Sequence, residues 1–165
     1  MKRILSKFKF VLAHLFGTKT ILVNYVDSQC FMERHGNKFD LKTSVDTIVA
    51  SGKGYLIPLG VKMTLPEYYA ATIIPRSSTF LKYGLLLGNS QGEIEWDYSE
   101  VWNFIGYATQ NMQIPIYARI AQFDVKPVFD APWYVKLGFI LTPKFKFKKV
   151  DSLTTSRSGL GSTGN

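Results

Sequence analysis

The chain has 165 residues, 46% hydrophobic and 19% charged, which excludes a disordered or collagen-like polypeptide and gives a single domain enough apolar material for a core. Its net charge is +8, but no dense Lys/Arg stripe interleaved with aromatics runs through it, so nucleic-acid binding is not expected. A lone cysteine, Cys30, excludes an intrachain disulfide or zinc knuckle, and neither His14 nor His35 has a carboxylate or hydroxyl at a spacing that suggests a catalytic triad or a metal site.

Residues 1–16, MKRILSKFKFVLAHLF, join a basic start to a short apolar run. Lys2, Arg3, Lys7, Lys9 and Lys19 come without an acid in the first nineteen positions; the rest, with fifteen basic and twelve acidic residues, stands at +3. Phe10–Phe16 is short for a signal peptide, is followed by no small-x-small site, and cannot span a bilayer. A helical period here puts Ile4, Phe8, Val11 and Leu15 on one face. Residues 1–18 therefore read as a basic, apolar extension, either a docking helix or one weakly suited to a membrane surface, ahead of a main domain over 19–154. Cytoplasmic location is the expectation.

From Thr20 the text turns β-like. Thr20–Val26, Gly54–Val61, Tyr68–Pro75, Val101–Ala108, Tyr117–Val125 and Lys144–Val150 are rich in β-branched and aromatic residues, and the last alternates Lys with Phe as a half-buried strand does. Short strands with Gly, Pro and Asn turns predict an all-β sandwich or barrel. One internal helix is predicted at Ala131–Leu141, with Pro132 suited to its first turn.

Polar groups interrupt this strand-like text at Lys38–Leu41 (KFDL), Pro75–Ser78 (PRSS), Gly88–Tyr98 (GNSQGEIEWDY) and Arg119–Gln122 (RIAQ). Residues 155–165 form a Gly-rich tail in which Arg157, three hydroxyl residues and three glycines follow one another around Leu160. Gly lets successive N–H groups converge on an anion, and Arg offers a planar fork for phosphate oxygens. By itself such a tail is most simply a solvated terminus, and GLGSTG lacks the Lys of a phosphate-binding Walker loop.

In this order, ending in RSGLGSTG, the five segments resemble the motifs of the trimeric dUTPase family (dUTP diphosphatases), closest to its phage and low-GC bacterial branch, over roughly Thr20 to Asn165. The resemblance implies a jelly-roll-like β domain, a homotrimer with sites at subunit interfaces, and hydrolysis of dUTP to dUMP and pyrophosphate. Mg²⁺ would be held by the triphosphate and water rather than by direct protein ligands. Asp40 would lie near the metal's water shell. Arg76, Ser77 and Ser78 would bind phosphate oxygens from a neighbouring subunit. Asn89, Gly92, Ile94 and Tyr98 would form the uracil and deoxyribose pocket, with Tyr98 under the sugar. Gln122 would sit near the attacking water and the phosphates, and Arg119 beside it. Arg157, Gly159, Gly161, Ser162 and Thr163 would close over the phosphates, with Leu160 above the base.

Three positions depart from the family pattern. The water-activating Asp of a Gly-x-Ile-Asp run is Glu95 here, one methylene longer, with Asp97 as a rival at the wrong spacing. Ser99-Glu100 replaces the usual Gly-Glu, and Leu160 replaces an aromatic. A catalytically impaired, dUTP-binding regulator and a dCTP deaminase-like enzyme are the alternatives that these departures leave open.

Overall fold

The computed structural model describes residues 2–153 except 99 and 143, and the side chains from residue 5 onward. A helix, α1 (Lys2–Phe16), leads into thirteen strands: β1 (Lys19–Tyr25), β2 (Glu33–His35), β3 (Lys38–Lys42), β4 (Thr47–Val49), β5 (Gly54–Pro58), β6 (Val61–Thr64), β7 (Tyr69–Pro75), β8 (Leu85–Leu87), β9 (Gly92–Ile94), β10 (Asn103–Ala108), β11 (Met112–Ile114), β12 (Arg119–Pro127) and β13 (Phe145–Lys149). Two further helices, α2 (Thr79–Tyr83) and α3 (Trp133–Leu141), follow β7 and β12. Among the described residues the strands form sheets ordered β13-β1-β6, β5-β10-β8, β11-β4 and β2-β3-β12-β7-β9. This is the all-β architecture expected, with the internal helix where the Ala131–Leu141 text placed it. Pro132 precedes the first turn rather than sitting inside it. The Gly54–Val61 run divides into β5 and β6, because Gly60 turns the chain at φ +67.

The core lies between the sheets. Trp102, Phe104, Phe123, Ile57, Met63 and Ile73 are fully or almost fully buried, and Trp102 meets Phe123 edge-on with ring centroids 5.2 Å apart. Truncating a ring such as Phe123 to Ala would cost about 3–5 kcal/mol in lost transfer energy and cavity. Cys30 is buried.

β1 and β13 run parallel, with Lys19 opposite Phe145 and Val23 opposite Lys149. The helices that precede these strands therefore enter at the same end of the pair. α1 lies on α3 through Phe10 and His14, whose rings meet Tyr134 at 6.1 and 5.5 Å. The contact face is rotated from the one the helical period suggested: Val11 and Leu15 are half-buried, while Phe8 is exposed. The crossing is close. A Cβ on Gly138 would stand 2.0 Å from the His14 carbonyl oxygen, so no larger residue fits without displacing the helix. Lys19, buried, donates to the carbonyls of Gly138 and Thr142 and to Thr142 Oγ1 at 2.8–3.0 Å, satisfying carbonyls at the end of α3. Burial lowers the Lys19 pKa, yet these acceptors suit its charged form.

Candidate active site

The five-stranded sheet has one apolar and one polar face. Leu41, Phe123, Ala71 and Ile73 point to the core. Asp40 on β3 pairs across the ladder with Gln122 on β12 and with Glu33 on β2, so these three side chains share the other face. Arg119 joins them through an irregularity. Residues three apart on a strand point to opposite faces, but the register of β12 shifts between Arg119 and Ala121. Ile120 and Ala121 are consequently both fully buried, and Arg119 and Gln122 both remain on the Asp40 side.

Asp40 is 1% exposed and ringed by basic side chains. Arg76 Nε lies 3.0 Å from its Oδ2, His35 Nε2 3.6 Å and Arg119 Nη1 3.7 Å. Glu33 accepts from Arg119 Nη1 at 3.1 Å and pairs with Lys42 Nζ at 2.8 Å, and chiefly this lysine holds its carboxyl below the usual range. Three permanent cations thus face two carboxylates, a surplus suited to a polyanion. Neither oxygen of Asp40 has an aligned hydrogen-bond donor among the described residues, so Arg76 meets it as a charge rather than through a well-directed N–H. Farther along the same face Lys38 pairs with Asp124.

Arg76 is placed by the end of β7. Its N–H donates to the Ile120 carbonyl at 3.2 Å, and buried Thr79 Oγ1 donates to the same carbonyl at 2.6 Å. These two bonds tie the PRSS corner to the RIAQ strand. Ser77 and Ser78 are exposed at the start of α2, and the Ser78 side chain makes no cap bond. A cleft lined by Arg76, Ser78, Lys82, Tyr117 and Arg119 opens beside them. Gln122 Nε2 lies 3.5 Å from the Pro75 carbonyl, at the limit of a hydrogen bond.

The Gly88–Tyr98 segment forms a hairpin arm along the opposite edge of β7. Gly92 pairs with Ile73 and Ile94 with Ala71. A Cβ on Gly92 would come within 3.3 Å of Ile73 Cβ, so glycine keeps this pairing tight. Asn89 and Glu95 are exposed, Ile94 and Tyr98 half-buried, and the Tyr98 N–H closes a turn on the Glu95 carbonyl at 3.1 Å. Burial, with Glu100 nearby, raises the Tyr98 phenol. The structure therefore brings Asp40, Arg76, Ser78, Arg119 and Gln122 together, but not Glu95. Ile94 pairs five residues from Arg76 along β7, roughly 16 Å at the rise of a strand. Arg157, Gly159, Leu160, Gly161, Ser162 and Thr163 lie outside the described residues.

Reading the sequence missed His35, Glu33 and Tyr117. His35 is five residues from Asp40 in the chain, and only the β2–β3 hairpin brings the two together. Tyr117 holds φ +63 just before β12, a left-handed backbone rare outside Gly, and its hydroxyl donates to Asp27 at 3.0 Å. No pattern at the level of residue type announces either arrangement.

Residues 33–164 match the family model named dUTPase. The SPbeta prophage-derived deoxyuridine 5'-triphosphate nucleotidohydrolase YosS of Bacillus subtilis strain 168 is 34% identical over 133 residues, covering 78% of this chain and 84% of that protein. The deoxyuridine 5'-triphosphate nucleotidohydrolase of Laribacter hongkongensis is also 34% identical, over 134 residues that cover 76% and 78% of the two chains. Among solved structures, the dUTPase of Streptococcus mutans has a TM-score of 0.56 at 26% identity, over 66% of this chain and 93% of that one. A dUTPase from phage phi11 of Staphylococcus aureus, described with a structural Mg(II) ion, has a TM-score of 0.60 over 68% and 93% of the two chains. Its identity of 14% makes that a likeness of fold.

Proposed function

The chain belongs to the dUTPase family, and from that premise we propose that it hydrolyses dUTP to dUMP and pyrophosphate at a site built on the polar face of the five-stranded sheet. The observation that carries this reading is the convergence of Arg76, Arg119 and Gln122 on the buried carboxylate of Asp40. Asp40 holds the Arg76 guanidinium beside it by charge, Glu33 accepts from Arg119, and the N–H groups not so engaged can take phosphate oxygens in a bidentate fashion. Ser77 and Ser78 add hydroxyl donors, and Arg157 with Gly159, Gly161, Ser162 and Thr163 would close over the triphosphate and exclude water.

Glu95 is the water-activating base in this proposal. A base must stand about 3 Å from the proton it takes. The distance along β7 between the hairpin and Arg76 is therefore an argument that one chain's phosphate cluster works with another chain's hairpin. The outward face of the β5-β10-β8 sheet favours such self-association, since Leu56, Leu86 and Tyr107 stand 44–52% exposed on it and Ile105 pairs with Leu56. A closed homotrimer satisfies both observations. Asn89, Gly92 and Ile94 would then meet the uracil edge, Tyr98 the deoxyribose, and Leu160 the face of the base.

The donor set fits Mg²⁺ held through water. No group of three or more His, Cys, Asp or Glu side chains suited to a metal occurs among the described residues. The unmatched oxygens of Asp40 can accept hydrogen bonds from metal-bound waters instead. When bound, the ion would neutralise charge developing on the phosphates.

The test is pyrophosphate release from dUTP, dCTP, dTTP and UTP with Mg²⁺, together with ammonia release from dCTP. Selective release from dUTP is expected. Tight dUTP binding without release would favour a regulator, ammonia a deaminase, and either would defeat the proposal. Glu95→Gln should lower kcat by about 10²–10⁴-fold while dUTP binding, followed by calorimetry, persists.

A further inference from the structure

We propose that the face of α1 turned away from α3 is a docking surface for an anionic lipid membrane, on which the enzyme lies without crossing the bilayer. The catalytic reading leaves this part of the molecule unexplained, because α1 precedes the residues that match the family, 33–164.

The two helices carry Lys2, Arg3, Lys7, Lys9 and Lys136 and no acidic residue. α1 uses Phe10 and His14 against Tyr134 of α3. That leaves Leu5, Phe8, Leu12 and Phe16 exposed by 38–64%, and their spacing of three or four residues aligns them in one stripe. Lys9, also exposed, falls beside this stripe at a rotation of about 100° per residue. α3 has a second apolar stripe in Trp133, Leu137, Ile140 and Leu141, and Phe129 just before it is 97% exposed. Large apolar groups in such number on a soluble surface mark a contact.

Charge selects the occupant. A second copy of this surface would bring Lys9 and the rest of the basic helix against like charges with no acid on α1 to meet them. A nucleic acid would meet the charge but offer no apolar layer for Phe8 and Leu12. The boundary between headgroups and acyl chains of an anionic bilayer offers both, with the Lys9 stem reaching up to the phosphates. The geometry also rules out a span. Fifteen residues of helix reach about 22 Å, short of a hydrocarbon core of about 30 Å. No described helix is long and apolar enough to cross a membrane. The surface is held ready by the Lys19 bonds to Gly138 and Thr142 and by the bond from Thr142 Oγ1 to the Leu15 carbonyl.

The experiment is co-sedimentation of the full chain with vesicles of phosphatidylcholine alone and with about 30% phosphatidylglycerol, at low and high salt. Binding to the anionic vesicles should be at least about tenfold stronger and should weaken with salt. Phe8→Glu with Leu12→Glu should abolish it and leave pyrophosphate release unchanged. Lys7→Glu with Lys9→Glu, which spares the apolar stripe, should remove the preference for anionic vesicles. The proposal is overturned if the wild-type chain stays in the supernatant with anionic vesicles, or if folded, active protein carrying either pair of substitutions sediments as the wild type does. It is equally overturned if the Phe8 and Leu12 substitutions disrupt only self-association or only retention on DNA.

Discussion

On the polar face of the β2-β3-β12-β7-β9 sheet, Arg76 and Arg119 lean on Asp40, Lys42 and Arg119 on Glu33, and Lys38 on Asp124. On α1 and α3 the basic side chains have no acid on either helix to lean on. Both regions are basic, but only the first holds its cations against carboxylates; on α3, Lys136 is tied instead to the Phe129 carbonyl at 2.6 Å. A site that must hold one triphosphate in a reactive geometry needs its guanidiniums oriented before substrate arrives. A surface that meets a diffuse layer of charge needs only their sum and an apolar stripe.

Removing the orienting carboxylate should erase this contrast most forcefully. Asp40→Asn keeps the shape but leaves Arg76 without its carboxylate while Arg119 keeps Glu33, and kcat/KM for dUTP should fall about 10²–10³-fold. Unchanged kinetics would mean that Arg76 needs no carboxylate to aim it. Gly138→Ala tests the other region, since the added methyl meets the His14 carbonyl oxygen. Thermal unfolding should report a loss of about 1–3 kcal/mol with pyrophosphate release retained. Loss of activity in that variant would tie the helices to the site.

The smallest effect is expected in acid. Burial raises the Asp124 carboxyl, but its pairs with Lys38 and Lys126 outweigh this and leave it below the usual range. A depressed carboxyl stabilises the fold above its unfolded pKa, near 4, and that contribution disappears as pH falls through the lower folded value. Lys38→Met should flatten this acid limb by about 1 kcal/mol or less in denaturant titrations between pH 6 and about 2. No such limb arises from α1 and α3, which have no carboxylate to titrate.

The strand-rich architecture was legible in β-branched and aromatic runs, and the alternating Lys and Phe of β13 appear as exposed and half-buried positions. PRSS does stand at the end of β7, and RIAQ does open β12. Legibility failed where geometry depends on how strands and helices pair rather than on residue type. The bulge in β12 cannot be seen from residue types, yet it puts Arg119 and Gln122 on one side. His35 looked isolated because its carboxylate neighbour arrives through a hairpin. The contact face of α1 depended on where α3 lay, which intrinsic periodicity cannot report.

The parallel pairing of β1 with β13 has a consequence for how the chain acquires its shape. Lys19 meets Phe145 across 126 residues, and closing so long a loop carries an entropy cost that local contacts do not. β7, β9 and β12, by contrast, lie within a much shorter stretch of chain. On a ribosome, α1 emerges ahead of the strands but has no α3 to rest on until β12 has been made. The catalytic sheet can therefore condense before the helical pair exists, and the basic surface is completed only as the last strand docks.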